Sequence, residues 1–124
     1  RVQFVKGNLE KLPLDSGSVD AAVCVMVLHH VADPAVVLGE MARISRLGFV
    51  VNDLMRSRLA YALIWLTTRL FAWNRMSRHD GPLSVLRAYT AGEIVALAGR
   101  AGISRIQIIR HPFLLRLAVV GGRR

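Results

Sequence analysis

Apolar positions along the chain change period several times, and each change marks an element. Val2 and Phe4 alternate with polar Gln3 as far as Gly7, which reads as a strand ending in a turn. Lys11-Leu12-Pro13-Leu14 is a connection, and Asp15-Ser16-Gly17-Ser18 has turn chemistry: Asp can close an Asx turn and Gly tolerates positive φ. Residues 21–28 form an unbroken, Val-rich apolar run, which predicts a strand buried on both faces, as in a parallel sheet. Asp33-Pro34 then starts a helix, with Asp as N-cap and Pro at the first helical position. Val37, Met41 and Ile44 share one face of it, Arg43 and Arg46 lie where the helix dipole favours cations, and Gly48 is expected as a left-handed cap. Phe49-Val50-Val51 is a second buried strand that ends at Asn52-Asp53. Strand, helix and strand with short connections make a βαβ unit, hence a parallel pair.

In the second half, residues 54–73 are apolar and aromatic with scattered Arg, and predict one or two amphipathic helices. Residues 75–82 read as a polar loop with Gly81-Pro82. Thr90-Ala91-Gly92-Glu93 is a capping box, followed by the stripe Ile94, Leu97, Ala98, Ala101 and a stop at Gly102. Residues 105–110 and 113–120 predict two strands around His111-Pro112, close enough to pair as a hairpin. The expected fold class is α/β: a partial Rossmann-like sheet of parallel strands with a C-terminal antiparallel hairpin.

Composition narrows the function. At 124 residues the chain allows one domain, and 53% apolar with 20% charged residues excludes a disordered or collagen-like polymer. The single cysteine, Cys24, excludes an internal disulfide framework and a cysteine-based zinc cluster, and makes the cytoplasm the default compartment. No arrangement of His, Asp or Glu suggests a metal. The apolar run 59–66 is far short of the roughly 20 residues that span a bilayer. No secretory leader is visible, and a start at Arg1 rather than Met suggests a piece of something longer. Seventeen Lys+Arg against eight Asp+Glu give +9, which suits a polyanionic partner or a missing acidic one. Arg56, Arg58, Arg69, Arg75, Arg78 and Arg87 gather around the aromatic segment. They read as a membrane-surface face, as an RNA surface, or as a solvated face in an Arg-rich composition.

Open α/β sheets bind ligands beyond the carboxyl ends of their strands. That rule selects residues 7–10, 25–30 and 52–53. Here Val5-Lys6-Gly7-Asn8 with Leu12-Pro13, then Asp15-Ser16-Gly17-Ser18-Val19-Asp20, then Val27-Leu28-His29-His30-Val31, then Glu40 with Arg43 and Gly48, resemble the class I S-adenosylmethionine-dependent methyltransferases. The likeness is to the small-molecule branch that includes the ubiquinone and menaquinone enzymes. Arg87-Ala88-Tyr89-Thr90 with the following helix fits too.

The family's glycine-rich loop after its first strand, and the acid ending its second, have no counterpart here. The resemblance therefore implies the C-terminal part of one methyltransferase domain, residues 1–124, beginning at the family's third strand and inactive alone. Its exposed edge is expected to make the segment associate.

The resemblance implies S-adenosylmethionine as cofactor. Asn8 would meet the adenine amine through its amide oxygen, the Leu9 backbone N–H an adenine ring nitrogen, and Val25 would line the methionine end. The other readings are a turn residue for Asn8 and core packing for Val25. Methyl transfer needs a base only for a hydroxyl or acidic carbon, and His30 is the candidate base; otherwise it caps the next helix or shapes the pocket. His29 is expected to be structural. Residues 54–88, with Tyr61, Trp65, Phe71 and Trp73, form either a lid over an apolar or aromatic acceptor or an ordinary packed face. Peripheral membrane contact would suit a lipid-like acceptor, and nucleic acid is the less favoured partner. The competing class is a non-catalytic basic module that binds a membrane surface or nucleic acid.

Overall fold

A computed structural model of the chain describes residues 2–71, 74–111 and 115–122. Strand β1 (Val19–Val25) leads through a 3-10 turn (Leu28–His30) into helix α1 (Pro34–Ile44) and strand β2 (Ser45–Leu54). Helices α2 (Arg58–Phe71), α3 (Arg75–Arg87) and α4 (Ala91–Arg100) follow, then strands β3 (Arg105–His111) and β4 (Arg116–Gly122). The sheet order is β1-β2-β4-β3. β1 and β2 run parallel, and β4 lies antiparallel to both β2 and β3. The parallel βαβ unit and the C-terminal hairpin are thus both present. Trp73 and Phe113 lie outside the described residues.

The core forms where α1 and α4 pack on one face of the sheet. Phe49 and Val51 of β2 meet Val37, Leu38 and Met41 of α1, Ile94 and Ala98 of α4, and Leu117 and Val119 of β4. Asp33 caps α1 by accepting from the Ala35 N–H (3.1 Å), and Pro34 takes the first helical position. Thr90 and Glu93 close the capping box of α4 reciprocally. Thr90→Ala is expected to cost about 1 kcal/mol in a urea melt, with the sheet unchanged.

Four expectations are corrected. Residues 2–7 form no strand, and Phe4 is 97% exposed. An alternating pattern makes a strand only where a neighbour accepts its ladder, and among the described residues none does so here. β1 ends at Val25 and is buried on one face only: Cys24 is inside, whereas Val23 and Val25 are 69% and 51% exposed. Gly48 does not cap α1. Ser45 does, and Gly48 lies inside a longer β2. Residues 75–82 are helical, with Pro82 inside α3. Asn74 accepts from the Ser77 N–H (2.7 Å), and a Cβ on Gly81 would lie only 3.0 Å from Thr68 Cγ2 of α2. Close packing of α2 on α3 thus overrides the weak helix propensity of Gly-Pro.

Among the described residues β1 is an edge strand, paired with β2 alone. Its free backbone edge and exposed valines predict concentration-dependent self-association in sedimentation velocity; a monomer at every concentration would contradict this.

Candidate functional site

Two chain segments meet at the site: a loop anchored on the C-terminal half of α1, and the turn that follows the carboxyl end of β1. The first is the loop 8–14. Asn8 Oδ1 accepts from the Glu10 N–H (3.0 Å) and the Asn8 carbonyl from the Lys11 N–H (3.0 Å), which makes a tight turn. α1 then grips the loop. Leu12 N–H donates to Glu40 Oε1 (2.7 Å), while Arg43 donates to the carbonyl of Leu14 (2.8 Å) and to Glu40 (2.6 Å). The Arg43 hydrogen bond, first among several causes, holds the Glu40 carboxyl below its ordinary value, and the Leu12 N–H adds to it.

A carboxyl whose folded value is lowered stabilises fully above its unfolded value of 4.5 and loses that contribution as pH falls through the folded one. The melting-temperature gap between wild type and Glu40→Gln is therefore expected to close on acidification below that range. A gap that persists into strong acid would show that the carboxylate charge is not what grips the loop.

This grip lays Leu9 and Leu12 against β1. Together with residues 22–25, Val27, Met41 and Ile44 they line an apolar cavity of about 200 Å³.

The second segment is the turn after β1. Met26 adopts φ 56°, a left-handed conformation that costs a non-glycine residue of order 1–3 kcal/mol and that clusters at functional sites. Its N–H donates to the Asn52 carbonyl (2.9 Å). Asp53 lies buried on the next strand: its Oδ1 is 2.5 Å from His29 Nδ1 and accepts from the Leu54 N–H (2.7 Å), and its Oδ2 accepts from the His29 N–H (3.3 Å). Burial, aided by the Asp53 charge, pushes up the pKa of the Cys24 thiol. Burial, then Glu93 and Asp53, does the same for the Tyr89 phenol.

The structure brings Leu9 and Val25 to one cavity. Asn8 adjoins it through Leu9 and does not line it. His30 is exposed on the 3-10 turn, its ring 4.0 Å from that of His29, and does not line it either. His29 is buried, in keeping with the structural role expected of it. Sequence reasoning missed two parts of the site, the His29–Asp53 pair and the grip of Glu40 and Arg43. The only signal for the first was Asp53 at a strand end; for the second, it was the three-residue spacing.

Two more features bear on ligands. Asn52 Oδ1 is buried without a hydrogen-bond partner, in the sheet row Val25–Asn52–Ala118. An orphaned acceptor of this kind fits a donor brought by a bound molecule. A second cavity, about 440 Å³, lies between α2 and α3 and is lined by Arg56, Ser57, Arg58, Tyr61, Val85 and Leu86. α3 also packs against the 3-10 turn, so this hairpin stands beside the carboxyl edge of the sheet.

The fold matches that of known proteins. A SAM-dependent methyltransferase from Aquifex aeolicus superposes with a TM-score of 0.64 at 16% identity, over 96% of this chain and 53% of its own. A SAM-dependent methyltransferase from Thermotoga maritima gives 0.65 at 22% identity, over 97% and 63%. The fold is that of the S-adenosylmethionine-dependent methyltransferases. Within that methyltransferase fold, residues 1–51 match the family described as a methyltransferase domain. A 37.1 kDa uncharacterised protein of a Streptomyces fradiae transposon is 47% identical over 47 residues, which is 38% of this chain and 14% of that protein. The chain spans between about half and two thirds of the length of these two solved methyltransferases. None of the described helices is long and apolar enough to cross a membrane.

Proposed function

We propose that this chain supplies the adenine-facing wall and the acceptor lid of an S-adenosylmethionine-dependent methyltransferase acting on a small apolar or aromatic molecule. The observation that carries the reading is the meeting of Leu9, next to the Asn8 turn, and Val25, at the carboxyl end of β1, in one apolar cavity that runs along β1 against α1. About 200 Å³ suits one flat heterocycle and falls short of the roughly 300–1,000 Å³ of a whole ligand site. In this reading Leu9 takes the adenine side of the cofactor and Val25 its methionine end, and the 124 residues alone are expected not to turn over.

When bound, S-adenosylmethionine supplies a methyl group already activated on sulfur. The chain's own task is then to orient the acceptor and keep water out. In this reading Asn8 Oδ1 keeps a second lone pair for the adenine amine while the first holds Glu10. The orphaned Asn52 amide oxygen accepts from the ligand. Residues 54–88 form the lid, with Tyr61, Val85 and Leu86 facing the acceptor in the larger cavity. His30, exposed on the turn beside the sheet edge, serves as base for a hydroxyl or acidic carbon. Calorimetry with S-adenosylhomocysteine tests the wall. Asn8→Ala is expected to weaken binding about tenfold, the worth of one hydrogen bond; unchanged affinity would remove the adenine contact.

A membrane-surface contact belongs to the same proposal and has its own support. Leu59, Leu63, Leu66 and Leu70 form an exposed stripe along α2, and α2 carries Arg58 and Arg69 with no acidic residue. Such a helix suits the surface of an anionic bilayer. The protein is expected to co-sediment with phosphatidylglycerol-containing vesicles at low salt and not with phosphatidylcholine alone. Equal partition into both would remove the contact. A cytoplasmic location, expected from the lone cysteine, stays part of this reading. The competing idea of a non-catalytic basic module draws no support from the likenesses found.

A further inference from the structure

We infer that His29 and Asp53 are a positioning pair that fixes the turn carrying His30, so that one buried carboxylate on β2 sets the geometry of the acceptor side. The role given to His30 rests on the methyltransferase reading; the pairing itself does not. Asp53 accepts two backbone N–H groups, from His29 and Leu54, while its Oδ1 lies 2.5 Å from the His29 ring nitrogen. A carboxylate has only lone pairs to offer, so the shared proton belongs to His29 Nδ1, and the ring is held as the Nδ1–H tautomer. Asp53 thereby ties both the main chain and the ring of one residue. The His29 ring in turn packs against that of His30 at 4.0 Å, tilted by 43°.

The rest of the turn needs such a tie. Met26 sits at φ 56°, and the turn's further backbone bonds are Met26 N–H to the Asn52 carbonyl, His30 N–H to that of Val27 and Val31 N–H to that of Leu28. A left-handed methionine persists only where its surroundings over-determine it. Both side chains of the pair are buried, at 2% and 3% side-chain exposure, so water does not compete for the bond.

Substitutions at His29 separate this role from the filling of space. His29→Asn places an amide N–H near the position of Nδ1–H and loses ring volume, whereas His29→Phe keeps the volume and loses the donor. In amide hydrogen exchange of the protein, His29→Asn is expected to keep the protection of residues 26–31 close to wild type, and His29→Phe to lose it. The opposite order would overturn the proposal. Long-range ring-nitrogen spectra provide the second readout. The wild type is expected to show His29 protonated on Nδ1. A wild-type His29 bearing its proton on Nε2 alone would overturn it too. Neither readout needs a cofactor or an acceptor. Failure of the wild type to bind S-adenosylhomocysteine would therefore strike the methyltransferase reading and leave the pair to be judged by its tautomer.

Discussion

Asp53→Ala is expected to destabilise the protein by about 3–5 kcal/mol in urea denaturation, because a buried donor left without its acceptor costs about 1–3 kcal/mol. Three donors lose their acceptor at once: the His29 ring, the His29 N–H and the Leu54 N–H. Asp53 is 2% exposed and His29 5%, so solvent does not replace the lost bonds without opening the core. Arg46 with Asp20 provides the comparison. That ion pair is two-thirds exposed on both sides, and Asp20→Ala is expected to change stability by less than about 1 kcal/mol. A small loss for Asp53→Ala would show that the turn is held by packing alone.

Gly48→Ala is expected to cost a similar amount, about 3–5 kcal/mol, by a different route. Gly48 lies in β2 at φ +154°, a backbone conformation that side chains disfavour, and a Cβ there would stand 2.6 Å from the Gly121 carbonyl oxygen of β4. Backbone strain of about 1–3 kcal/mol adds to an overpacking cost of similar size, because the obstacle is another strand's main chain and cannot rotate away. Gly121 is just as constrained, since a Cβ there would meet the Phe49 ring at 2.4 Å. Gly17 separates strain from crowding. Its φ is +67° but nothing lies within 4 Å of its missing Cβ, so Gly17→Ala is expected to cost only about 1–2 kcal/mol. Equal losses at Gly17 and Gly48 in thermal melts would show that the approach of β4 to β2 is not what requires glycine.

The pair Gly48 and Gly121 also shows where the sequence stops being legible. Helix starts are local, so Asp33-Pro34 and the Thr90–Glu93 box could be read from four residues and stand in the structure. The role of Gly48 is set by a strand more than seventy residues away, and its short-range pattern imitates a helix cap. Residues 75–82 misled for the same reason: Gly81 sits in a helix because α2 needs a small neighbour there. Val2 and Phe4 show the converse, a strand pattern without a strand beside it. The carboxyl-end rule and the family motif both point to Leu9 and Val25, and the structure sets both against one cavity. His29 and Asp53 were not paired in the reading, because 24 residues and a strained methionine separate them.

The central claim is that the turn at Asn8 and the end of β1 face one bound cofactor. Titrating S-adenosylhomocysteine into the isotopically labelled protein and following its amide resonances tests this most directly. The account predicts shifts gathered at Asn8, Leu9 and Leu12, at residues 22–27, and at Met41 and Ile44. Shifts gathered on α2 or on the β3–β4 hairpin, or a spectrum unchanged at saturating ligand, would contradict it.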